Sequence, residues 1–315
     1  MDSVPYAFCE DVLERLPTTK LHTMAYYLSG QWRSAAQQFV EKRRTFYITI
    51  SKDSEGWFYA IADEMTGGIE NVHEESLSID RRYVEINQIS IYSHLGQFNA
   101  RKLRCSKEEM ARRVVPFLTL RMRPDSSLSF MSGYPKEIVL ECLDMFRRCF
   151  SFGVLHLLYV GPESEEFLAL QLKSNPLLRS LLLRRWPHTE TIEQLLLTFL
   201  KTKRIRVLDI EQPSDIQSPL KVTIRIVKAA VDSWVRDDGE KALVVYGNVG
   251  VTSTEIVSIP LPENVTRREE GGEEQGHFCV RWTKENGSSL RCELQFFNDL
   301  VVLESSADWS SSPSY

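Results

Sequence analysis

The residues best suited to chemistry in this sequence are six cysteines and six histidines, and their spacing matches no known catalytic or metal-binding motif. There is no Cys-x-x-Cys pair and no His-Glu-x-x-His motif, the spacings typical of zinc sites. The glycines form neither the Gly-x-Gly-x-x-Gly pattern of dinucleotide binding nor the Gly-x-Ser-x-Gly pattern of α/β-hydrolases. We therefore expect no catalytic residue, no metal ligand and no cofactor, and we expect that the protein is not an enzyme.

One basic cluster could bind a partner. If neighbouring strands align, several arginines and lysines come together, and they could contact an acidic or phosphorylated protein. The plainer interpretation, which we favour, is that these cations offset a helix dipole and solvate the surface. The cluster comprises Arg179, Arg184, Arg185, Lys201, Lys203, Arg204 and Arg206.

The composition is that of an ordinary globular protein. Of the 315 residues, 43% are apolar and 26% are charged, so a sizeable core can be buried. The net charge of −5 makes nucleic acid an improbable partner, because nucleic-acid binders usually have a basic excess. The sequence begins without a secretory signal, and its apolar runs are too short to span a membrane. We expect an intracellular protein, cytoplasmic or nuclear, that does not bind membranes.

Residues 1–44 are predicted to form three short helices. Phe8, Val12, Leu13 and Leu16 recur at helical spacing before Pro17 ends the first helix. Two further apolar segments follow on either side of Ser29-Gly30. Helices this short cannot bury all their apolar residues against one another, so we expect some of these side chains to pack on the rest of the chain or on a partner.

This N-terminal segment resembles an F-box. The resemblance rests on Val4-Pro5, an apolar helix, Leu16-Pro17, a second apolar helix and Trp32-Arg33, and the opening residues are similar to the expanded F-box families of nematodes. It implies that the segment binds the Skp-type adaptor of a cullin ubiquitin ligase. The residues that the resemblance assigns to adaptor binding are Val4, Pro5, Phe8, Leu16, Leu21 and Trp32.

Residues 45–304 are predicted to form a mixed α/β domain. Its first part, residues 45–103, is rich in aromatic and β-branched runs, with a hairpin turn at 53–56. Residues 154–247 alternate strands and helices, and three strands share an apolar-x-x-apolar-x-apolar pattern that begins at residues 155, 178 and 205. The spacing partly resembles leucine-rich repeats. A plain α/β sheet with helices on both faces remains the alternative.

If the succession is repeat-like, one face of its strands is open to a substrate. We expect this face to include Leu157 and Val207 as well as the residues proposed to bind a protein substrate. Those residues are His156, Tyr159, Arg179, Leu182, Arg184, Arg206 and Asp209.

The C-terminal part differs in character. Residues 278–296 alternate around Asn286-Gly287 and predict a β-hairpin. Residues 267–276 read as a polar loop, and residues 305–315 as a disordered tail. The predicted fold class is therefore α+β or α/β: an F-box-like three-helix module followed by a mixed domain with a repeat-like strand–helix succession and a C-terminal hairpin.

Together these features predict the substrate-recruiting subunit of an SCF-like ubiquitin ligase. The N-terminal module would bind the adaptor, and the remaining domain would bind an unidentified protein substrate. Two alternatives remain open: a freestanding interaction scaffold with a vestigial F-box, and an enzyme built on an α/β sheet.

Overall fold

The computed structural model describes residues 4–14, 16, 18–63, 80–92, 102–130, 135–202, 205–211, 219–237 and 242–306. The chain divides into two compact units, residues 1–152 and residues 153–315. Helices and strands occur in both, so the mixed α/β class is confirmed. The predicted boundary after residue 44 lies inside the first unit, because the N-terminal helices cluster with the strands that follow them.

The first unit contains helices and strands in alternating groups. They are α1 (Tyr6–Leu13), α2 (Thr18–Tyr27), α3 (Gly30–Lys42), β1 (Arg44–Asp53), β2 (Gly56–Asp63), β3 (Val84–Ile91), β4 (Leu103–Cys105), α4 (Lys107–Glu109), α5 (Val115–Thr119), β5 (Met122–Phe130) and α6 (Lys136–Phe146). A single π-helical turn, Met110–Val114, joins α4 to α5.

The strands of this unit lie in the order β5-β3-β1-β2-β4. β1 and β2 form an antiparallel hairpin in which Asp53 pairs with Gly56, at the predicted turn. β3 lies parallel to both β1 and β5. The sequence did not predict β5, because its first half, Arg123-Pro124-Asp125-Ser126, is polar and contains a proline.

The second unit begins with strand–helix alternation and ends in successive strands. Its elements are β6 (Val154–Leu158), α7 (Pro162–Ser174), β7 (Ser180–Arg184), α8 (Glu190–Thr202), β8 (Val207–Glu211), β9 (Val222–Thr223), α9 (Ile224–Arg236), β10 (Val244–Gly250), α10 (Ser253–Val257), β11 (Val265–Gly272), β12 (His277–Lys284), β13 (Ser289–Gln295) and β14 (Leu300–Ser306).

The strands of this unit lie in the order β11-β12-β13-β14-β10-β8-β7-β6, with β9 beside β10. β6, β7, β8 and β10 are parallel, whereas β10 to β11 pair antiparallel through β14, β13 and β12. The connections through α7, α8 and α9 each lead to the next parallel strand in the same direction across the sheet, from β6 to β7, from β7 to β8 and from β8 to β10. Right-handed crossovers of this kind place their helices on the same face of a sheet.

Two faces of this sheet therefore differ in burial. The helix face comprises alternate residues that are fully buried, namely Leu155, Leu157, Leu181, Leu183, Leu208 and Ile210. The open face comprises the residues between them. Among the described residues of this face, Tyr246 is exposed, and four others are partly exposed, namely His156, Leu182, Val207 and Asp209. The described part of this unit therefore does not have helices on both faces of the sheet, which was the alternative to a repeat-like succession.

The predicted superposition is wrong by three residues for the first two strands and right for the second and third. Leu155 pairs with Leu181 instead of with residue 178, whereas Leu181 pairs with Leu208, in the register that the starts at 178 and 205 predict. Leu157 was expected on the open face but is fully buried on the helix face. The reason is that extended strands alternate with a period of two, so residues 155 and 157 point to the same side.

The C-terminal part also corrects two predictions. Residues 267–272 are not a loop, since they belong to β11, which pairs with β12 along its whole length, and only residues 273–276 form a turn between the two strands. β11 is an edge strand exposed from Thr266 to Gly271, so it has no apolar alternation from which a strand could be predicted. Ser305 lies in β14 and is 3% exposed, so the predicted disordered tail does not begin there. Residues 307–315 lie outside the described residues.

Strands β12 and β13 pair antiparallel on either side of the turn that contains Asn286-Gly287. Gly287 has φ +84°, a left-handed conformation that favours glycine. The Lys284 amide donates to the Ser288 carbonyl at 2.9 Å and closes the turn. Among the buried residues of β12, Phe278, Val280 and Trp282 lie on the helix face.

Candidate functional site

The three N-terminal helices form a small core of their own. Its fully buried members are Cys9, Leu13, Leu21, Ala35, Ala36 and Phe39, and Tyr83 from the first unit's strand region completes it. Alanines at positions 35 and 36 allow α3 to approach α1 and α2 closely, because they add little side-chain volume. The helices thus pack on one another and on Tyr83.

Arg43 fixes this helical cluster to the sheet. Its buried guanidinium donates to the carbonyls of Leu16 and Glu14 at the end of α1, and it lies 3.6 Å from Glu85 of β3. Burial lowers the pKa of Arg43 to about 10, while the neighbouring Glu85 raises it. The backbone carbonyls that α1 leaves without helical partners are therefore satisfied by a side chain from the far end of α3.

The residues assigned to adaptor binding divide into three groups. Leu21 is fully buried and is not available to a partner in this structure. Val4, Leu16 and Trp32 are partly buried and pack against the helical core. Pro5 and Phe8 are exposed, and the side chain of Phe8 is 52% accessible.

Phe8 is part of a small apolar surface on α1 and α3. Val12, one helical turn further along α1, is 36% exposed, and Trp32 lies edge-to-face against Phe8 with ring centroids 6.1 Å apart. We call Pro5, Phe8, Val12 and Trp32 the apolar ridge. The site prediction omitted Val12, although its spacing of four residues from Phe8 placed both on one helical face.

A second exposed region of these helices was not predicted. Tyr26 and Tyr27 at the end of α2 are 78% and 79% exposed. Tyr26 borders a shallow cavity of about 260 Å³ between α2 and α3, which is lined by His22, Ala25, Tyr26, Arg33, Gln37, Val40 and Glu41. The mixed charges of this lining indicate no particular ligand.

The residues assigned to substrate binding are only partly brought together. His156, Leu182 and Asp209 face one another directly across β6, β7 and β8, and the row continues to Tyr246 of β10. Arg184 lies in the adjacent row, opposite Leu158. Arg179 and Arg206 precede β7 and β8, so they lie in connections and not within the strands.

Tyr159 has a structural role that the sequence did not reveal. Its hydroxyl donates to Glu165 at 3.0 Å, and its ring packs edge-to-face on the buried Trp186 at 5.2 Å. Burial, followed by Glu165, raises the pKa of Tyr159. Trp186 in turn donates to the Leu157 carbonyl at 2.9 Å. We therefore assign Tyr159 to packing at the end of β6 and no longer to a substrate surface.

The described part of the chain offers few side chains that are placed to act as a nucleophile or to bind a metal ion. There, no cluster of three or more His, Cys, Asp or Glu side chains could hold a metal ion. Burial raises the pKa of Cys142 to about 12 and also raises that of Cys292, so both thiols stay protonated and unreactive. The expectation that the protein is not an enzyme stays a prediction.

Comparison with known proteins identified no relative: no family model, no curated protein and no solved structure matches this chain. Within the described residues, no helix has the length and apolar character needed to cross a membrane.

Proposed function

We propose that this protein is a substrate-recruiting subunit of an SCF-like cullin ubiquitin ligase. The apolar ridge would bind the Skp-type adaptor, and the open face of the second unit would bind a protein substrate. The observation that supports this most directly is the exposure of Phe8 beside Val12 on a helix whose other face already fills a complete core.

The apolar ridge has a physical reason to bind another protein. Burying a side chain such as phenylalanine or valine stabilises a complex by about 1.5–3 kcal/mol. Phe8 and Trp32 already contact each other, so little side-chain entropy remains to be lost when a partner covers them. Aromatic side chains of this kind often contribute most of the binding energy at protein interfaces.

The open face offers a second, separate surface for a substrate. Tyr246 is 39% exposed and lies opposite Asp209, with Leu182 one strand further on. An aromatic, an aliphatic and a carboxylate in one row suit a mixed protein interface. Two such surfaces on one chain would raise the effective concentration of substrate near the ligase without any covalent step.

The adaptor half is tested by measuring binding of the full chain to a purified Skp-type adaptor. We expect the variants Phe8→Ser and Val12→Ser each to weaken binding about ten-fold or more, because each removes apolar area from the interface. Circular dichroism and thermal unfolding should remain close to those of the wild type, since both side chains are exposed.

Phe297→Ser is the matched control, because Phe297 is 87% exposed in the second unit. It should leave adaptor binding unchanged. If the wild-type chain does not bind the adaptor, the freestanding scaffold is favoured. If all three variants bind equally well, the apolar ridge is not part of the interface.

A further inference from the structure

Three arginines lie side by side on the open face, at the end of the sheet furthest from β6. Arg268 of β11 is directly opposite Arg281 of β12, and Arg281 is directly opposite Arg291 of β13. All three are exposed, whereas the neighbours of Arg281 along β12, Val280 and Trp282, are buried on the helix face. Adjacent strands are about 4.8 Å apart, so the three cations emerge close together.

This arrangement is unfavourable for the isolated fold. Like charges directly opposite each other on neighbouring strands destabilise a sheet. The outer two arginines are compensated locally: Arg291 contacts Glu293 at 2.7 Å and lies opposite Glu304 of β14, and Arg268 contacts Glu270 at 3.1 Å. The central Arg281 has no carboxylate at the equivalent position of its strand, where Cys279 stands instead.

Unused hydrogen-bond donors are concentrated around Arg281. Among the described residues, the Arg281 guanidinium has no hydrogen bond and no ion pair. Arg268 contacts Glu270 through its Nε atom, its two terminal nitrogens make no hydrogen bond within the described structure, and its side chain is 80% exposed. The hydroxyl of Thr283, two residues from Arg281 on the same face, also lacks a partner among the residues described.

We propose that Arg268, Arg281 and Thr283 form a binding site for one phosphomonoester group on an extended segment of a partner protein. A phosphomonoester has a charge of about −1.5 to −2 near neutral pH and three acceptor oxygens. It therefore matches two opposed guanidinium groups in both charge and hydrogen bonding.

The surrounding carboxylates favour one compact dianion over a run of acidic residues. Glu270 and Glu293 border the arginine row on one side, and Glu304 stands at its end. These three groups would repel further carboxylates of an acidic segment. A single phosphate centred between Arg268 and Arg281 avoids them. The site does not depend on the proposed ligase function, because it lies in the second unit and uses none of the apolar ridge.

Fluorescence anisotropy with the full chain tests this site. The probes are three labelled peptides of otherwise uncharged sequence, which contain phosphothreonine, threonine or glutamate at one central position. We expect the phosphothreonine peptide to bind about ten-fold or more tightly than the other two, since charge-assisted hydrogen bonds discriminate to this degree. Arg281→Gln should remove most of that difference.

Arg281→Gln should also leave the unfolding temperature unchanged or raise it, because it removes repulsion from Arg268 and Arg291. The matched control is Arg112→Gln, an exposed arginine of the first unit, which should bind the phosphopeptide like the wild type. The proposal is overturned if the three peptides bind equally, if Arg281→Gln retains full affinity, or if Arg112→Gln loses as much as Arg281→Gln.

Discussion

At the residue scale, Arg43 shows how one side chain can secure a group of short helices. The guanidinium is buried, yet its charge faces Glu85, its donors reach the carbonyls that end α1, and it lies over the Phe39 ring at 5.0 Å. Short helices have little stability of their own. A buried cation that closes the end of α1 therefore supports the surface on which the apolar ridge stands.

We expect Arg43→Ala to lower the free energy of unfolding by about 3 kcal/mol, because it leaves buried carbonyls and Glu85 without their partner. The measurement is urea unfolding at neutral pH. The exposed neighbour Arg44 provides the control: Arg44→Ala should change stability by less than about 0.5 kcal/mol. Equal effects of the two substitutions would contradict the role assigned to Arg43.

At the scale of the element, β7 illustrates how the second unit distributes its side chains. Leu181 and Leu183 are fully buried against the helices, whereas Leu182 between them is partly exposed. The apolar-x-x-apolar-x-apolar pattern of this segment already places Leu181 and Leu183 in the core and Leu182 on the open face. The strand's pairing with β6 and β8 then sets which neighbours these leucines meet across the sheet.

Alanine substitutions at neighbouring positions of β7 test this assignment of faces. We expect Leu181→Ala to cost about 3 kcal/mol of unfolding free energy, because it leaves a cavity in the core. Leu182→Ala should cost less than about 1.5 kcal/mol, since less apolar area is buried there. Urea unfolding of both variants gives the comparison. A reversed order would mean that the helix face and the open face have been exchanged.

At the scale of the whole molecule, several carboxylates of the first unit are held by cations. Asp53 at the β1–β2 turn accepts two hydrogen bonds from Arg104, at 2.9 and 3.0 Å, and one from Lys102 at 3.0 Å. These bonds lower the pKa of Asp53, with Arg104 contributing most. Asp80 beside Arg82 and Glu141 beside Lys107 have lowered pKa values for the same reason.

Lowered carboxylate pKa values predict acid sensitivity. Their stabilising effect is fully present above the unfolded pKa, at about pH 4, and is lost as the pH falls through the folded values. Asp53→Asn should therefore reduce stability at neutral pH and flatten its decline below about pH 4. Urea midpoints measured across this range give the result.

Asp11→Asn is the control for this experiment, because Asp11 is exposed and contacts no cation among the described residues. It should preserve the acid dependence of the wild type. If Asp53→Asn has the same pH profile as the wild type, the contacts with Arg104 and Lys102 contribute nothing to folding stability.

Much of the local structure could be predicted from the sequence. The three N-terminal helices, the β1–β2 hairpin, β3 and the strand–helix order from β6 to α9 follow from apolar periodicity and turn residues. The strands β5, β11 and β14 were missed. β11 is an edge strand exposed on both faces, so burial left no pattern in its residues, and β5 begins with a polar stretch.

The sequence by itself determined most of the helical and extended segments, because backbone preferences and apolar spacing act over a few residues. The tertiary structure alone decided which apolar residues are exposed: Phe8 and Leu21 both belong to the F-box-like pattern, yet one faces solvent and the other fills the core. It also decided that Arg268, Arg281 and Arg291 become neighbours. Strand register depends on pairing between distant segments, and a shift of one residue would move every side chain to the other face.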